Sequence, residues 1–514
     1  MSVRESTLTD AELEALVSRL YADASDAVHA THVTALAESL FEAAGHLHGL
    51  TKTARDWLRI AGRLHDVARG RDKANHHRLG GRAMRRLRGA GLSASQRRIL
   101  ARAVELHSKR SDLSGVLTGP RNVEEQIAAR LGALLRIADG LDHSRTGETR
   151  LLALVDDGEA VDLYINDSPE AAANAADAMA RIDLFNAVCP RPIRSIVPAA
   201  AVPAEAAVIR PTDTLLEAVQ RLLVRQLDRL QTRRYGIAYP ADAEYVHEMR
   251  VATRRLRSGM GAVRKQIDGH FTRLRKRLKG LADTLGPARD ADVFLEFLAG
   301  YSDTASPGHG PALQRALRAE RRTRSRRYRA VAELLASGEH DRLMRRARRV
   351  LTMPPGPAFA LCAIGKRAGR CVWREARRSL RKQLSRVYAY GPRLAGLSIR
   401  KQHALRIECK RLRYLAEFFA DLYPERLESV RKPVEELQDL LGEVHDTYVY
   451  AERLDGHLRG LDAGAAREIR SSVNPHLAAR RRSRLAKAGR VWRRFAAAKA
   501  KHKARGAIDA ARRE

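Results

Sequence analysis

The spacing of apolar residues along the chain predicts a mainly helical protein. In the first two hundred residues, apolar side chains recur at helical intervals in the segments 28–41, 57–67 and 131–142. The segment 150–165 alternates apolar and polar residues around Asp157-Gly158, which predicts a β-hairpin. Further along, the segments 247–260 and 403–415 each place an apolar stripe opposite a basic one. We therefore expect a helical fold with a small β appendage.

Length and composition restrict the class of protein. A chain of 514 residues has room for two to four domains at about 100–200 residues each. No run approaches the roughly 18 apolar residues of a membrane span, and the N-terminal residues lack a signal-peptide pattern. The four cysteines show no Cys-x-x-Cys spacing, which argues against a disulfide framework or a thiolate zinc site. We expect a cytoplasmic protein that does not enter the membrane.

The positive charge is concentrated in one part of the chain. The formal charge is +35, from 95 Lys and Arg against 60 Asp and Glu, and residues 1–210 contribute only 28 and 27 of these. Residues 198–211 are rich in proline and small residues, as a linker is. The chain is therefore expected to divide into a first domain at 1–197, the linker at 198–211, a basic domain at 212–500 and a basic tail at 501–514.

The basic domain contains an internal duplication. The segment beginning at His247 aligns with the segment beginning at His403, an offset of 156 residues, and the segment 281–293 aligns with 437–449 at the same offset. Eleven of the 24 aligned positions are identical. Such self-similarity predicts two copies of one structural unit, at about 212–352 and 358–500.

Each copy carries a basic stripe on one helix. On a helix, His247, Arg250, Arg254 and Arg257 fall within an arc of roughly 80°, and His403, Arg406, Lys410 and Arg413 repeat the arrangement. A solvated charged face is the ordinary explanation, but such faces mix Glu with Lys. Arginine clusters suit phosphate groups, and the first stripe lacks the aromatic platforms of single-strand nucleic-acid binders. The stripes therefore favour a ligand that is rich in phosphate and carries no bases, with nucleic acid less favoured.

The paired motifs, each followed by Leu-Gly and Asp, resemble the CHAD domain. That resemblance implies a pair of helical bundles whose basic central channel binds inorganic polyphosphate. It places on the channel wall the residues His247, Arg250, Arg254, Arg257, His403, Arg406, Lys410 and Arg413. Further contacts are expected from the neighbouring residues Arg255, Arg411, Arg275, Lys276, Arg431 and Lys432.

The first domain carries a candidate metal site. His-Asp occurs three times in the chain, and only His65-Asp66 ends an apolar-periodic helix, where it can be buried. His29 or His32 on an earlier helix, and Asp139 or Asp142 on a later one, could complete a ligand set. Imidazole and carboxylate without thiolate suit Mn, Mg, Fe or Zn, and such an ion can activate water for hydrolysis.

The order of these residues resembles the HD phosphohydrolase domain. The surrounding sequence is similar to the C-terminal HD-like domain of the exopolyphosphatase/guanosine pentaphosphate phosphatase family. The similar segments include Leu64-His65-Asp66, His76-His77 and the segment 134–142. The resemblance implies metal ligation by His29, His65, Asp66 and Asp139, and a helix near 183–185 and a strand at 191–197. Asp66 is also a candidate catalytic residue. His77 and His107 could bind a second metal ion or the scissile phosphate, and Arg69, Arg71 and Lys73 could neutralise substrate charge.

These features lead to two functional expectations. The sequence contains no actin-like catalytic domain of that family, so any hydrolysis is expected from the His-Asp site itself. The first expectation is a polyphosphate-binding protein with a metal-dependent phosphohydrolase domain for polyphosphate or other phosphoanhydride or nucleotide substrates. The alternative is a non-catalytic scaffold or sensor that is targeted to polyphosphate granules and carries a relic HD domain.

Overall fold

The computed structural model describes most of the 514 residues. The residues outside the described part are 1–7, 22, 88–90, 121, 201–208, 210–211, 240–241, 263–270, 303–309, 353–370, 392–393, 395, 424–426, 460–462 and 511–514. Most of the predicted linker at 198–211 therefore falls outside it. Among the described helices, none combines the length and the apolar character needed to cross a membrane.

The chain divides into two compact units that differ from the predicted domains. The first unit comprises residues 1–207 and 225–252, and the second comprises residues 208–224 and 253–514. Helix α11 (Leu215–Thr232) and helix α12 (Glu244–Ala262) each contribute residues to both units. After the predicted linker, the chain returns once to the first unit, at residues 225–252. The domain boundaries proposed from the sequence stay a prediction.

The first unit is a helical domain with a small sheet. Ten of its helices precede α11, namely α1 (Asp10–Leu20), α2 (Ala24–Ala43), α3 (Gly45–His48), α4 (Lys52–Leu64), α5 (His76–Arg85), α6 (Ala94–Leu106), α7 (Ser114–Leu117), α8 (Val123–Leu141), α9 (Ala171–Met179) and α10 (Asp183–Val188). Helix α8 is buried along most of its length and packs against α2, α4, α6, α9 and α10. The central position of α8 explains why its sequence is apolar almost all round.

Side-chain caps fix where the site-bearing helices begin. Thr51, Ser93 and Asn122 each accept a hydrogen bond from a backbone N–H in the first turn of α4, α6 and α8. These residues satisfy N–H groups that have no partner within the helix, so the sequence defines the start of each helix.

The predicted hairpin is confirmed and gains a third strand. Strand β1 (Leu151–Asp156) pairs antiparallel with β2 (Val161–Asn166), and Gly158 in the connecting turn has a φ of 98°. Strand β3 (Ile193–Ala199), predicted at 191–197, pairs parallel with β2. The sheet order is β1-β2-β3. The expected fold class, mainly helical with a small β appendage, is confirmed.

The duplication in the basic half extends to the helix boundaries. The second unit contains α13 (Thr272–Ser302), α14 (Gly310–Ala336), α15 (Gly338–Thr352), α16 (Val372–Tyr388), α17 (Ile399–Phe418), α18 (Glu428–Leu458), α19 (Ala463–Ala496) and α20 (Ala498–Asp509). Helices α13 and α18 begin and end at positions that differ by the same 156 residues as the sequence motifs. The two copies therefore share their helical framework as well as their basic stripes.

A buried apolar cluster joins the two copies within the second unit. It includes Phe294 and Leu298 of α13, Leu454 of α18 and Val473 of α19. The predicted basic tail at 501–514 is instead helical as far as Asp509, the last residue of α20, and residues 511–514 lie outside the described part. Asp509 accepts a hydrogen bond from Arg377 at 2.9 Å and Ile508 is fully buried, so this segment is packed rather than free.

Gly140 permits the close approach of α8 and α9 that brings Arg181 next to Asp139. A methyl group added at Gly140 would lie 2.7 Å from Cα and 2.9 Å from N of Ala178, and this backbone cannot move independently of α9. We expect Gly140→Ala to lower the free energy of unfolding by about 1–3 kcal/mol because the helices must separate. Chemical denaturation measures this. Gly45→Ala, where nothing lies within 4 Å of the added methyl, should change stability little; equal effects of the two substitutions would contradict the packing argument.

Candidate metal centre and paired cationic helices

Six potential metal ligands converge inside the first unit. All lie on helices or directly after them, and all are buried or nearly so. They are His29 on α2, His65 and Asp66 after α4, His76 at the start of α5, His107 after α6, and Asp139 in the last turn of α8. Five different helices thus supply one cluster.

One group consists of His29, His65 and Asp66, whose ligand atoms all lie within 4.8 Å of one another. His29 Nε2 is 3.1 Å from Asp139 Oδ1 and 3.9 Å from Asp66 Oδ2. His65 Nε2 is 3.7 Å from Asp66 Oδ1 and 3.7 Å from Asp139 Oδ1. The four residues predicted as metal ligands are therefore brought together.

A second group shares Asp66 with the first. Its members are Asp66, His76 and His107. Asp66 Oδ1 lies 3.4 Å from His76 Nε2 and 3.7 Å from His107 Nε2, and these two imidazole nitrogens are 3.2 Å apart. The arrangement offers two adjacent positions for cations with Asp66 between them.

Backbone carbonyls orient three of the imidazoles. In each case Nδ1 lies within hydrogen-bond distance of the carbonyl oxygen three residues earlier. The pairs are His65 with Gly62 at 2.8 Å, His76 with Lys73 at 3.0 Å, and His107 with Val104 at 2.6 Å. Because a carbonyl only accepts, each Nδ1 carries the proton and each Nε2 presents a lone pair to the cluster.

These donor atoms fit a divalent cation. His65 Nε2 and Asp66 Oδ1 are buried and have no hydrogen-bond partner among the described residues. The facing Nε2 atoms of His76 and His107 are both acceptors, so their 3.2 Å approach is unfavourable without a cation between them. Buried polar atoms are nearly always satisfied, and imidazole with carboxylate is a ligand set for Mn, Fe or Zn and, with fewer imidazoles, Mg.

Asp142 orients His29 from the opposite side. Its Oδ2 lies 2.7 Å from His29 Nδ1. Burial acts to lower the pKa of His29, but the hydrogen bonds to Asp139 and Asp142 outweigh it and raise that pKa to about 9. Asp142 thus supports the ring as carboxylates support metal-ligating histidines. A metal ion would take the place of the proton on Nε2.

The remaining charges are balanced around the carboxylates. Burial acts to raise the pKa of Asp66, whereas positive charge on His65 and a hydrogen bond from His107 act to lower it, and this lowering applies only when those rings also carry a proton on Nε2. Burial lowers the pKa of His76 to about 4, with a further contribution from His107, which keeps this ring neutral at neutral pH. Arg145 donates a hydrogen bond to Asp66 Oδ2 at 2.7 Å, and Arg181 pairs with Asp139.

The structure places some predicted residues differently. His76, not His77, brings a nitrogen to the cluster, and both ring nitrogens of His77 are buried without a hydrogen-bond partner among the described residues. Neighbouring residues on a helix point about 100° apart, so only one of the pair can face the cluster. Arg69 lies 3.6 Å from Asp66, whereas Arg71 and Lys73 are exposed. No sequence pattern distinguished three of the residues at the site from their neighbours. These are His76, Arg145 and Arg181.

The alternative ligands occupy outer positions. Asp142 contacts the metal-distal nitrogen of His29, and His32 Nε2 lies 3.9 Å from Asp142 Oδ1.

In the second unit, the two copies of the basic helix meet at Tyr414. The guanidinium carbon of Arg254, from the first copy, lies 5.3 Å from the centre of the Tyr414 ring, and that of Arg413 lies 5.5 Å from it. Arg255 of the first copy also donates a hydrogen bond to Glu417 of the second at 2.7 Å. The C-terminal part of α12 and helix α17 are therefore neighbours, and their arginines lie on a shared surface.

Arg406 is positioned by the Leu-Gly motif of the second copy. A Cβ atom at Gly442 would lie 3.4 Å from the guanidinium of Arg406, an ordinary van der Waals contact, so Arg406 lies directly beside Gly442 of α18. Burial raises the pKa of Asp446, and the charge of Arg406 acts against this, which identifies the two groups as neighbours. The corresponding Gly286 in the first copy has open space around it, so the copies differ here.

Ten of the predicted basic residues can be divided into two sets by their ion pairs. Those without an ion pair within 4 Å among the described residues are Arg250, Arg257, Arg275, Lys276 and Arg406. Those that pair with glutamates are Arg255, Arg411, Arg413, Arg431 and Lys432. Arg257 and Arg406 belong to the first set, and each has a buried Nε atom without a hydrogen-bond partner among the described residues, a feature that Arg254, Arg255 and Arg413 share.

His403 lies beside His445, with the ring centres 5.1 Å apart. Desolvation, the charge of His445 and then those of Arg406 and Lys410 lower the pKa of His403. His403 is therefore neutral at neutral pH and adds positive charge only in acid. His247 and Lys410 also lie on the basic helices, where the sequence places them.

Comparison with known families identifies both parts of the chain. The model of the Ppx/GppA phosphatase domain III matches residues 15–184, and the model of the CHAD domain matches residues 221–455. The chain thus carries a Ppx/GppA domain III followed by a CHAD domain. Both resemblances proposed from the sequence are confirmed.

Two solved structures are similar to part of the chain. A CHAD domain from the plant Ricinus communis is 22% identical, with 60% of this chain and 97% of that chain covered and a TM-score of 0.42. PptA from Streptomyces chartreusis is 16% identical, with 55% and 99% covered and a TM-score of 0.42. No curated protein matches the chain.

Substitution of the adjacent histidines tests which ring belongs to the metal centre. His76→Ala should weaken Mn²⁺ binding by about tenfold or more, because one of the few inward-facing nitrogens is lost. His77→Ala should leave Mn²⁺ binding close to wild type. Mn²⁺ titration followed by electron paramagnetic resonance measures both. A loss of affinity confined to His77→Ala would assign the second position to His77.

Proposed function

We propose that the protein is a metal-dependent phosphohydrolase that binds inorganic polyphosphate. The first domain is the hydrolytic part and the CHAD domain is the polyphosphate-binding part. The observation that carries the proposal is the set of inward-facing, proton-free Nε2 atoms around the unpartnered Oδ1 of Asp66. A protein has little reason to bury such a set unless a cation completes it.

His29, His65, Asp66 and Asp139 would hold one divalent ion, and Asp66, His76 and His107 a second. Bound there, divalent ions would lower the pKa of water and polarise a phosphoryl oxygen. Asp142 fixes the ring of His29, while Arg145 and Arg181 fix the carboxylates of Asp66 and Asp139. The chain's own contribution is a preorganised site in which little must move when substrate arrives.

The substrate class follows from the second domain. Arg257 and Arg406 lie on the two basic helices, α12 and α17, and neither has an ion pair within 4 Å among the described residues. Guanidinium groups form bidentate hydrogen bonds with phosphate. Aromatic side chains on which bases could stack are few on these helices. A chain of condensed phosphate is therefore the preferred ligand. Phosphoanhydrides, either in polyphosphate or in nucleotides, are the preferred substrates.

A non-catalytic scaffold is the second candidate. Arg145 and Arg181 already balance the charges of Asp66 and Asp139, so the cluster would remain folded without metal. In that case the CHAD domain would attach the protein to polyphosphate, including polyphosphate granules, and the first domain would act as a sensor or a relic.

Removal of one carboxylate separates the two candidates. Asp66→Asn keeps the size of the side chain but should reduce Mn²⁺-dependent phosphate release from polyphosphate or nucleoside triphosphates by about a hundredfold or more, since metal ions contribute several kcal/mol. Asp167→Asn, at an exposed carboxylate, is the matched control and should behave as wild type. Wild-type protein that releases no phosphate with Mn²⁺ or Mg²⁺ would rule out the hydrolase and leave the scaffold.

Charge reversal on the shared surface tests the ligand. Arg257→Glu and Arg406→Glu should each weaken binding of long-chain polyphosphate to the full-length protein by about tenfold or more at physiological salt, because each removes a phosphate contact and adds repulsion. Isothermal titration measures the affinity. Arg345→Glu, the same charge change at an exposed position of α15, should have a small effect.

Equal losses in all three variants would indicate a nonspecific effect of net charge. Displacement of polyphosphate by RNA or DNA at equal phosphate concentration would favour a nucleic-acid ligand instead.

A further inference from the structure

Arg145 adopts a backbone conformation that its residue type disfavours. Its φ is 59°, and among the described residues no other non-glycine residue has a positive φ. It lies in the turn after α8, where its N–H donates to the carbonyl of Asp142 at 2.9 Å. Glycine or asparagine occupies such positions at lower cost. Because strained residues cluster at functional sites, the side chain of Arg145 is the feature that requires explanation.

That side chain connects the buried cluster to solvent. One terminal nitrogen of Arg145 donates to Asp26 Oδ1 at 2.6 Å and the other to Asp66 Oδ2 at 2.7 Å. The side chain of Asp66 is 1% exposed, whereas that of Arg145 is 28% exposed. Asp66 Oδ1 faces the histidines of the cluster, 3.4 Å from His76 Nε2, and the side chain of Arg145 remains partly accessible to solvent.

The neighbouring arginines are less suited to that role. Arg181 pairs with both Asp139 and Asp177 and is 11% exposed, so it is more enclosed. Arg69 lies 3.6 Å from Asp66 and 3.8 Å from Asp26, beyond hydrogen-bond distance. Arg145 alone combines a direct bond to the central carboxylate with an accessible edge.

We propose that Arg145 binds the phosphoryl oxygens of the substrate at the metal centre. This inference rests on the proposed hydrolase function and names a residue that binds its substrate. When a cation neutralises Asp66, the hold of Asp66 on the guanidinium weakens, and Arg145 becomes available to an anion. A guanidinium has five N–H donors in a planar fork that matches two phosphate oxygens, which a single ammonium group does not.

The test uses the full-length protein loaded with Mn²⁺ and inorganic phosphate as the probe. Arg145→Gly removes the guanidinium while suiting the positive φ. We expect it to bind Mn²⁺ within about threefold of wild type and phosphate at least tenfold more weakly. Arg145→Lys should retain Mn²⁺ binding and show intermediate phosphate affinity, because charge is kept and the fork is lost. Arg98→Ala, at an exposed arginine that pairs with Glu124, is the control and should match wild type.

Phosphate affinity in Arg145→Gly within twofold of wild type, with Mn²⁺ bound, would overturn the proposal. Loss of Mn²⁺ binding in both Arg145 variants would also overturn it, since Arg145 would then act on Asp66 and not on substrate. Wild-type protein that binds no Mn²⁺ would instead overturn the proposed hydrolase function, and the role of Arg145 would fall with it.

Discussion

The candidate site depends on one repeated hydrogen bond, from a histidine Nδ1 to the carbonyl three residues earlier. His65 and His107 form it at the C-terminal ends of α4 and α6, where the last carbonyls have no partner within the helix. The same bond satisfies the helix end and turns Nε2 inward. His76 repeats the geometry at the start of α5. The point at which each helix ends therefore determines which nitrogen faces the cluster.

Asp66 is the centre on which these nitrogens converge, and the surrounding charges keep it ionised. Burial alone would favour its neutral form, but Arg145 donates a hydrogen bond to its Oδ2 and so favours the charged form. Arg145 binds Oδ2 and leaves Oδ1 facing the imidazoles. The negative charge of the cluster is thus only partly neutralised, and a divalent cation would neutralise the rest. In the second unit the charge has the opposite sign, because Arg257 and Arg406 are half-buried cations with no ion pair within 4 Å among the described residues.

The periodicity and the duplication allowed much of this to be predicted from sequence. Apolar spacing located the helices that carry His29, His65 and Asp139, and the constant offset of 156 residues located α13 and α18. The choice between His76 and His77 was beyond sequence reasoning because it depends on the residue at which α5 begins. Arg145 was missed because nothing in its neighbourhood predicts a left-handed turn that directs a side chain back to Asp66. The packing of the C-terminal segment could not be predicted, because it depends on Asp509 meeting Arg377, a contact between distant residues.

The most direct test of the metal centre is anomalous diffraction from crystals of the full-length protein soaked in Mn²⁺. The account predicts anomalous peaks beside Asp66, one contacted by His29 and His65 and the other by His76 and His107, about 3.5–4 Å apart as in other two-metal sites. A map with no peak within coordination distance of Asp66, at Mn²⁺ concentrations that saturate any binding in solution, would contradict it.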